Sequence, residues 1–395
     1  MTILIKNVSS NGEIKDITCG GPALSDESKY FQVIDGTGLL AVPAFVDVHV
    51  HFRDPGQMEK EDLLTGTRAA VAGGYGHVIC EANTSPVIDS LEKVQAFYAR
   101  VKELQLPISV DTKCALTIGQ QGEHLVDIAV LKENYPSIIF SSDGEPVTDP
   151  KLLIKAFHAA GNNEIHLHCE ETPRSHEHVV AVLGEGVYLS REVELIELAI
   201  VALDSVGTGR LHIQHVSMAK SVELIAKAKV RGLAITAEVS PHHLTLCTDD
   251  VPTGDANWKM NPPLRSHADM MAMRVALAEG TIDIIATDHA PHTIAEKAKP
   301  WDEAPFGIIG LETAFGACMT LVHDGELSFE RLIEAMTGND RSLDHGVTLI
   351  NHNEEWVVNP DTFKSKSRNS PFSGKTFKGK VRYISGSKFK VQRSA

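Results

Sequence analysis

The chain has 395 residues, of which 43% are hydrophobic and 23% are charged, and its formal net charge is −15. These proportions are typical of a soluble globular protein and exclude a largely disordered chain, and the acidic balance argues against nucleic acid as the main partner. No run of about 18 or more apolar residues is present, so we expect no membrane span. The start of the chain lacks the basic, apolar and small-residue stretches of a secretory signal.

Six cysteines are scattered along the chain without a C-x-x-C pair. This spacing favours reduced thiols in a cytoplasmic protein over a disulfide framework or a structural zinc knot. The cysteines are Cys19, Cys80, Cys114, Cys169, Cys247 and Cys318.

Eight short runs rich in valine and isoleucine recur along the chain, separated by stretches whose apolar residues lie about 3.6 positions apart. Strand runs that alternate with helices predict βαβ units and a parallel sheet. Eight such units over about 250 residues or more predict an α/β fold with a (β/α)8 TIM-like barrel. The alternative is an open doubly wound sheet, but no G-x-G-x-x-G follows the first strand, which weakens its dinucleotide-binding form. The predicted runs are Leu39–Phe52, Gly76–Asn83, Leu106–Lys113, Ser137–Gly144, Glu164–Glu171, Arg210–Ser217, Leu233–Ser240 and Ile282–His289.

The two ends of the chain differ from its middle. Residues 1–42 and 344–395 are rich in glycine, serine and lysine and contain short alternating runs such as FKGKVRYI. Alternation of apolar and polar residues is typical of strands with one exposed face. We therefore expect the two ends to form a small, trimmed outer β-domain, and residues 43–343 to form the barrel.

Nearly every predicted strand ends in a side chain that can bind a metal or move a proton. The carboxyl ends of barrel strands meet at one mouth, where active sites lie, so distant residues such as His49 and Asp288 would share one pocket. The residues at these strand ends are His49, His51, Asn83, Asp143, His168, His215 and Asp288.

The histidines and carboxylates at the strand ends predict a metal site. His49 and His51 are two positions apart, so they point to the same side of a strand. An H-x-H pair alone is more often an ordinary surface or core pair, but further ligand types at successive strand ends change that balance. Four imidazoles and two carboxylates without a thiolate suit Zn²⁺ with coordination positions open for water. We expect one or two zinc ions per chain, and two if Asp143 bridges them.

Asp288 has a second predicted task. A hydrolase needs a base that takes a proton from metal-bound water and returns it to the leaving group. A carboxylate beside a metal that lowers the pKa of its water to about 7 is suited to this role. The simpler interpretation of Asp288 is a helix N-cap before the HAPHTIAEK segment.

Several motifs together resemble those of class I bacterial dihydroorotases of the amidohydrolase superfamily. They are VPAFVDVHVHFRDPG, SSDG, HLHCEE, IQHVS, MNPPLR and IATDHAPHTIAEK, followed by APFGIIGLETAF, and the later KSRNSPFSGKTFKGKV is similar to the end of that family. The resemblance covers roughly residues 36–342 and 354–385. The combination is highly specific, although H-x-H alone is not.

The resemblance implies reversible hydrolysis of (S)-dihydroorotate to N-carbamoyl-L-aspartate by metal-bound hydroxide, a step of de novo pyrimidine (UMP) biosynthesis. It also implies that Asp288 is the general acid/base and that the metal ligands are His49, His51, Asp143, His168, His215 and Asp288. The implied substrate contacts are Arg53, Asn83, Asn261 and His292, with the backbone near Phe306 and Gly307 closing over the ring. Arg53 suits this role chemically, because a guanidinium can bind the substrate carboxylate with two parallel hydrogen bonds.

Related cyclic-amide hydrolases are the first alternative. Hydantoinases, dihydropyrimidinases and allantoinases share the barrel but usually bridge their metals with a carboxylated lysine. Here the corresponding strand ends in SSDG, with Asp143 and no lysine. The HFRDPG and NPPLR motifs also favour a dihydroorotase.

The sequence departs from the family pattern at three places. CEANT at Cys80–Thr84 replaces the usual C-M-P-N-T, and SSDG replaces a pair of aspartates. The short N-terminal segment and the Met336–Asn353 stretch indicate a trimmed outer β-domain.

A catalytically silent subunit that scaffolds a partner such as a carbamoyltransferase is the second alternative. The trimmed outer domain motivates it, whereas the complete set of ligand-type residues argues against it. For the enzyme, the expected partners are the small-molecule substrate and product and a second copy of the chain in a homodimer, with association with a carbamoyltransferase as a further option.

Overall fold

The structure is a computed structural model, and it describes residues 2–10, 12–19, 23–171, 190–338 and 345–385, together with the backbone of 392–393. All eight predicted strand runs contain a strand or pair of strands. The structure is α/β and its central strands are parallel.

Nine parallel strands form the centre of the molecule. They lie in chain order in two sheets, one of three strands and one of six. The three-stranded sheet consists of β5 (Phe45–Val50), β6 (Tyr75–Cys80) and β7 (Ser109–Thr112). The six-stranded sheet consists of β8 (Cys114–Ala115), β9 (Phe140–Ser141), β10 (Glu164–Leu167), β11 (Arg210–Ile213), β12 (Ile235–Val239) and β13 (Ile284–Ile285).

The two sheets meet at both of their edges. Strands β7 and β8 are separated only by Lys113, and the chain there changes its pairing from β6 to β9. At the other edge Val50 of β5 forms a parallel bridge with His289, and the His51 amide donates to the His289 carbonyl at 2.9 Å. The last strand is therefore next to the first.

Strands from the two ends of the chain form one mixed outer sheet. β4 pairs antiparallel with β14, with Val347 opposite Pro43, so the amino-terminal and carboxy-terminal strands lie side by side. The predicted run Leu39–Phe52 is thus two strands, because β4 belongs to the outer sheet and β5 to the centre. The outer strands are β1 (Ile3–Ser10), β2 (Glu13–Cys19), β3 (Gln32–Asp35), β4 (Leu40–Pro43), β14 (Val347–Val357), β15 (Thr376–Ser385) and β16 (Gln392–Arg393).

Helices follow most of the central strands. Many of them begin at an aspartate, serine or threonine whose side chain accepts a backbone N–H of the first turn, as Asp62 does from Thr65 and Ser266 does from Asp269. Among the described residues no helix is long and apolar enough to cross a membrane. The α-helices are α1 (Leu63–Ala72), α2 (Leu91–Leu104), α3 (Ile128–Asn134), α4 (Pro150–Ala160), α5 (Glu192–Val206), α6 (Ala219–Val230), α7 (Pro241–Thr245), α8 (His267–Glu279), α9 (Ile294–Lys297), α10 (Ala314–His323) and α11 (Phe329–Met336). Single 3-10 turns lie at Glu27–Lys29, Ile118–Gln120, Thr248–Asp250, Ala256–Trp258 and Pro360–Thr362.

Aromatic packing fixes the first central strand. The fully buried Phe45 begins β5, contacts Tyr75 of β6 edge-on and stacks on Phe315 of α10, with ring centroids 5.7 Å apart in each pair. Aromatic pairs at this spacing add to the stability that burial gives. Because His49 lies in the same strand, this packing also fixes the backbone that carries the predicted ligands.

We expect Phe45→Ala to lower the free energy of unfolding by about 3–5 kcal/mol, because it removes a buried ring and leaves a cavity. Urea denaturation followed by circular dichroism measures the change. Phe31→Ala is the matched control, since Phe31 is 47% exposed, and its effect should stay within about 0.5 kcal/mol. Equal effects at the two positions would contradict the assigned role of Phe45.

Candidate metal centre

The six residues predicted as metal ligands lie together at the carboxyl ends of the central strands. Every one of them is buried. His49 lies within β5, and His51 follows directly after that strand. Each of the other four residues lies within three residues of the end of β9, β10, β11 or β13. The six are His49, His51, Asp143, His168, His215 and Asp288.

The first group of donors surrounds the Nε2 atom of His49. That atom is 3.2 Å from Asp143 Oδ1 and 3.5 Å from Asp288 Oδ1. His51 Nε2 is 3.0 Å from Asp288 Oδ1 and 3.5 Å from Asp143 Oδ2. His49, His51 and Asp288 therefore have the spacing of a group that could hold a metal ion.

The second group shares Asp143 with the first. His168 Nδ1 and His215 Nε2 are 2.8 Å apart. Asp143 Oδ1 is 3.6 Å from the former and 3.5 Å from the latter. Asp143 thus stands between two sets of imidazoles, which is where a carboxylate could contact two cations.

These donors fit zinc in spacing and in type. Zinc–nitrogen and zinc–oxygen bonds of about 2.0–2.2 Å in a tetrahedron place neighbouring donors about 3.3–3.6 Å apart. Most of the distances between the donors lie close to this range. His49 Nε2 is buried and makes no hydrogen bond within the described part of the chain, although two carboxylates face it. A cation held between these atoms would satisfy all of them.

The pKa values of this cluster reflect strong mutual attraction. Burial alone would lower the pKa of His49, but the nearby carboxylates of Glu238 and Asp143 outweigh it and raise that pKa well above its ordinary value. Burial also opposes the charged form of Asp288, yet His49 and His51 bring its pKa down to about 2. Burial together with the neighbouring His215 lowers the pKa of His168 to about 3.

Three residues of the site have backbone conformations that side chains rarely adopt. The φ angles are 56° at Arg53, 32° at His215 and 49° at Asp288. Such conformations cost about 1–3 kcal/mol each and persist where the surrounding structure enforces them, often at functional sites. Hydrogen bonds hold the neighbouring backbone, since the amide of His215 donates to Glu238 at 3.2 Å and that of His289 donates to Thr287 at 3.1 Å.

Glu238 is a residue of this site that the sequence analysis missed. It lies in β12 and is buried. Its Oε1 is 2.5 Å from His49 Nδ1, and its Oε2 is 3.0 Å from His212 Nε2. A carboxylate on the second nitrogen of a ligating histidine fixes the ring orientation and increases its basicity.

The third and seventh strand runs had no predicted functional residue, and each contains a buried charged side chain. These are Lys113 in the third run and Glu238 in the seventh. A charged residue inside an otherwise apolar strand is rarely buried without a partner. That was the signal in the sequence that could have identified both.

Two of the predicted substrate contacts touch the metal-site side chains. Asn83 lies 2.9 Å from His51 Nδ1 through its amide oxygen and donates to Asp143 Oδ2 at 2.9 Å through its nitrogen. Asn261 Nδ2 is 3.3 Å from His168 Nε2, while its Oδ1 is buried without a hydrogen bond in the described structure. Asn83 therefore supports the ligands directly, and Asn261 has an acceptor atom left for another group.

The remaining predicted substrate contacts form one wall beside the cluster. Half-buried Arg53 has its Nε 3.4 Å from the Pro291 carbonyl. His292 donates from Nε2 to the Phe306 carbonyl at 2.7 Å, which leaves its buried Nδ1 without a hydrogen bond among the described residues. Gly307 has φ 129°, and a Cβ there would lie 2.8 Å from the Cβ of Ala290, so glycine is required for this close approach.

The Phe306–Gly307 segment is tied to the carboxy-terminal part of the chain. The Gly307 amide donates to the Lys259 carbonyl at 2.9 Å. Buried Asn369 donates to the carbonyls of Gly307 at 3.0 Å and Ala290 at 3.1 Å. The Gly307 amide is thus engaged within the protein, and the position of the loop depends on Asn369.

Comparisons with known proteins show which proteins this chain is similar to. A family model described as Dihydro-orotase-like matches residues 38–180. The chain is 41% identical to the dihydroorotase of Pelotomaculum thermopropionicum over 370 residues, which cover 88% of this chain and 86% of that protein. It is 40% identical to the dihydroorotase of a Geobacillus species over 393 residues, covering 92% and 89% of the two chains.

Solved structures share the fold at lower sequence identity. An L-hydantoinase (dihydropyrimidinase) from Arthrobacter aurescens superposes with a TM-score of 0.81 at 23% identity, over 98% of this chain and 95% of that chain. A dihydropyrimidinase from Brevibacillus agri also gives 0.81, at 20% identity over 100% and 97%. At this level of identity the likeness is one of fold.

We expect Glu238→Gln to weaken zinc binding by about 10–100-fold, the usual effect of losing a carboxylate behind a ligating histidine. Competition with a chromophoric chelator measures the zinc dissociation constant. Glu223→Gln on exposed α6 is the matched control and should leave that constant unchanged. Wild-type affinity in Glu238→Gln would show that the carboxylate does not support the site.

Proposed function

The chain belongs to the dihydroorotase family, and on that premise we propose that its buried histidine–carboxylate cluster binds zinc and hydrolyses (S)-dihydroorotate reversibly to N-carbamoyl-L-aspartate in de novo pyrimidine (UMP) biosynthesis. The observation that carries the proposal is the convergence of six buried ligand-type side chains at one end of the parallel strands. About 40% identity to dihydroorotases over most of the chain supports the substrate assignment.

The charges around the ligands favour two zinc ions over one. Four carboxylates contact the histidine ligands, and two basic side chains lie near them, which leaves two negative charges uncompensated when the histidines are neutral. One zinc ion would only cancel this excess, whereas two would attract an anionic substrate. The carboxylates are Glu81, Asp143, Glu238 and Asp288, and the basic residues are Lys113 and Arg53.

In the proposed reaction, water adds across the ring amide bond, so that its oxygen joins the carbonyl carbon and a proton reaches the ring nitrogen. Zinc, when bound, supplies a Lewis acid that polarises the carbonyl and makes water a better nucleophile. The low pKa of Asp288, about 2, keeps its carboxylate ionised at neutral pH. In the proposal this carboxylate accepts the proton of the attacking water. Asp288 then passes this proton to the leaving nitrogen, and the carbon–nitrogen bond breaks.

Three side chains on the wall of the site suit the substrate. Arg53 offers a fork of donors for its carboxylate. The buried Oδ1 of Asn261 and Nδ1 of His292 make no hydrogen bond within the described structure. Both can accept from ring N–H groups, and leaving such acceptors unpaired would penalise substrates without matching donors.

Hydantoinase-type hydrolysis is the alternative that the shared fold raises. Position 143 is an aspartate and not the lysine that hydantoinases usually have there, which argues against this activity. The basic side chain of Arg53 beside the cluster also argues against it, since a hydantoin ring itself carries no carboxylate for it to bind. Parallel assays with dihydroorotate, hydantoin and allantoin decide between these activities. A silent scaffold subunit would bind well below one zinc ion per chain, so metal analysis tests that alternative.

Two observations support finer structural proposals. The bridge from Val50 to His289 supports closure of the central strands into one (β/α)8 barrel, with residues 43–343 as the catalytic domain and 1–42 with 344–395 as the outer one. All six cysteines are buried and free, which fits a reducing cytoplasm. We also propose that the enzyme is a homodimer, with a carbamoyltransferase as a further partner.

Removal of zinc should abolish ring opening, and His49→Ala should have the same effect. The reason is that His49 contacts both carboxylates of the cluster. Dialysis against a chelator, followed by metal analysis and an ultraviolet assay of dihydroorotate, measures both losses, and added zinc should restore the wild type only. Turnover by metal-free protein would end the proposal.

Asp288→Asn should lower kcat by about 10²–10⁴-fold, because an amide cannot accept and return the proton. Stopped or continuous assays at saturating dihydroorotate measure kcat, and metal analysis of the same sample shows whether zinc is retained. A variant that keeps both zinc and wild-type kcat would exclude Asp288 as the base.

Arg53→Lys should raise KM for dihydroorotate by about 10–100-fold, because a lysine cannot form the paired hydrogen bonds to a carboxylate. Arg68→Lys is the matched control, because Arg68 is an exposed residue of α1. If the KM values of the two variants are equal, Arg53 does not bind the substrate carboxylate.

A further inference from the structure

A buried ion pair lies directly beside the proposed metal centre and has no role in the mechanism above. Glu81 follows β6 and Lys113 stands between β7 and β8, and both side chains are completely buried. Barrel interiors are normally filled with branched apolar side chains. The pair therefore needs an explanation.

The carboxylate of Glu81 has four polar neighbours. Its Oε1 forms an ion pair with Lys113 Nζ and accepts a hydrogen bond from Gln214 Nε2 at 2.7 Å. Its Oε2 accepts from Ser141 Oγ at 2.6 Å. Its Oε1 also lies 3.7 Å from His49 Nε2, the atom that faces Asp143 and Asp288.

Gln214 connects this pair to the other side of His49. Its Nε2 is 3.3 Å from His49 Nδ1, while the same nitrogen donates to Glu81. The Nδ1–H of His49 donates to Glu238 at 2.5 Å, so Gln214 packs against that nitrogen while its amide is hydrogen-bonded to Glu81. Glu81 therefore acts on His49 in two ways, through its hydrogen bond to Gln214 and through its own charge.

We propose that Glu81 is a positioning residue for His49, and that Lys113 makes its buried charge tolerable, so that the pair increases the affinity of the site for a divalent cation. The inference rests on the proposed function, because it requires the metal centre. A bare carboxylate in this interior would be strongly unfavourable, whereas a lysine partner compensates its charge and leaves its second oxygen free to accept from Ser141.

The pair must be tested with single and double substitutions. Lys113→Met leaves Glu81 buried without compensation, and Glu81→Met does the same to Lys113, so each single variant should unfold at a lower temperature than the wild type. The double variant E81M/K113M has no buried charge, and its Tm without metal should return close to that of the wild type.

The zinc affinity of the variants distinguishes a role of Glu81 in positioning His49 from a role in packing alone. If Glu81 positions His49, E81M/K113M should bind zinc about 10–100-fold more weakly than the wild type in spite of its recovered Tm. E81Q/K113M retains an oxygen that can accept from Gln214 and Ser141, and it should recover part of that loss. A double variant with recovered Tm and wild-type zinc affinity would overturn the proposal. If E81M/K113M does not fold, Glu81→Asp replaces it in the test. This variant keeps both charges but shortens the side chain and so moves the carboxylate away from His49, and wild-type zinc affinity in it would overturn the proposal.

Lys229→Met is the matched control, because it removes a lysine–carboxylate pair at the other end of the strands. Lys229 Nζ is 2.7 Å from Asp283, which directly precedes β13. This variant should keep wild-type zinc affinity. Wild-type protein that binds no zinc would refute the proposed function itself, whereas zinc bound equally by wild type and folded variants would refute only the role of the pair.

Discussion

The structure depends on one electrostatic constraint, the burial of carboxylates against imidazole nitrogens. His49 Nε2 faces Asp143 and Asp288 at 3.2 and 3.5 Å. Lone pairs at such distances repel each other unless a proton or a metal ion lies between them. Burial would lower the pKa of His49, but the carboxylates raise it, which favours a proton at this position when no metal is bound. Zinc would supply two charges at this position, and the strands hold its donors in place for it.

The side chains behind the ligands make this arrangement rigid. Glu238 contacts His49, His212 and the amide of His215, so one carboxylate fixes three strands relative to each other. Asn83 links His51 to Asp143 in the same way. Because Glu238 is buried, Asn83 is half-buried and both are hydrogen-bonded, moving any of these ligands would leave a polar atom unpaired. Such a network explains how two-residue strands such as β9 can still place a ligand accurately.

The sequence was sufficient to predict the strands and the gathering of the six ligand-type residues, because both follow from simple periodicity and from the geometry of parallel strands. For Glu238 and Lys113 the sequence offered only the signal of a charged residue in a predicted strand run, and their roles depend on partners on other strands. Asn83 illustrates the same limit. Its position at a strand end could be predicted from the sequence, but its two contacts with His51 and Asp143 could not. The split of Leu39–Phe52 into β4 and β5 depended on pairing with β14, about 300 residues later.

The shared fold of this chain and the hydantoinases places the difference in substrate at the rim of the site and not in its framework. Arg53 follows His51 by two residues, and its positive φ turns the chain immediately after the last ligand of β5. In the proposed function, β5 and the residues directly after it fix both the cation position and the guanidinium, with only one residue between His51 and Arg53. A substrate whose carboxylate stands at the matching distance from its scissile amide would contact both at once, and a ring without a carboxylate would contact only the metal side. Selection of the substrate would then be a consequence of the geometry of this short segment.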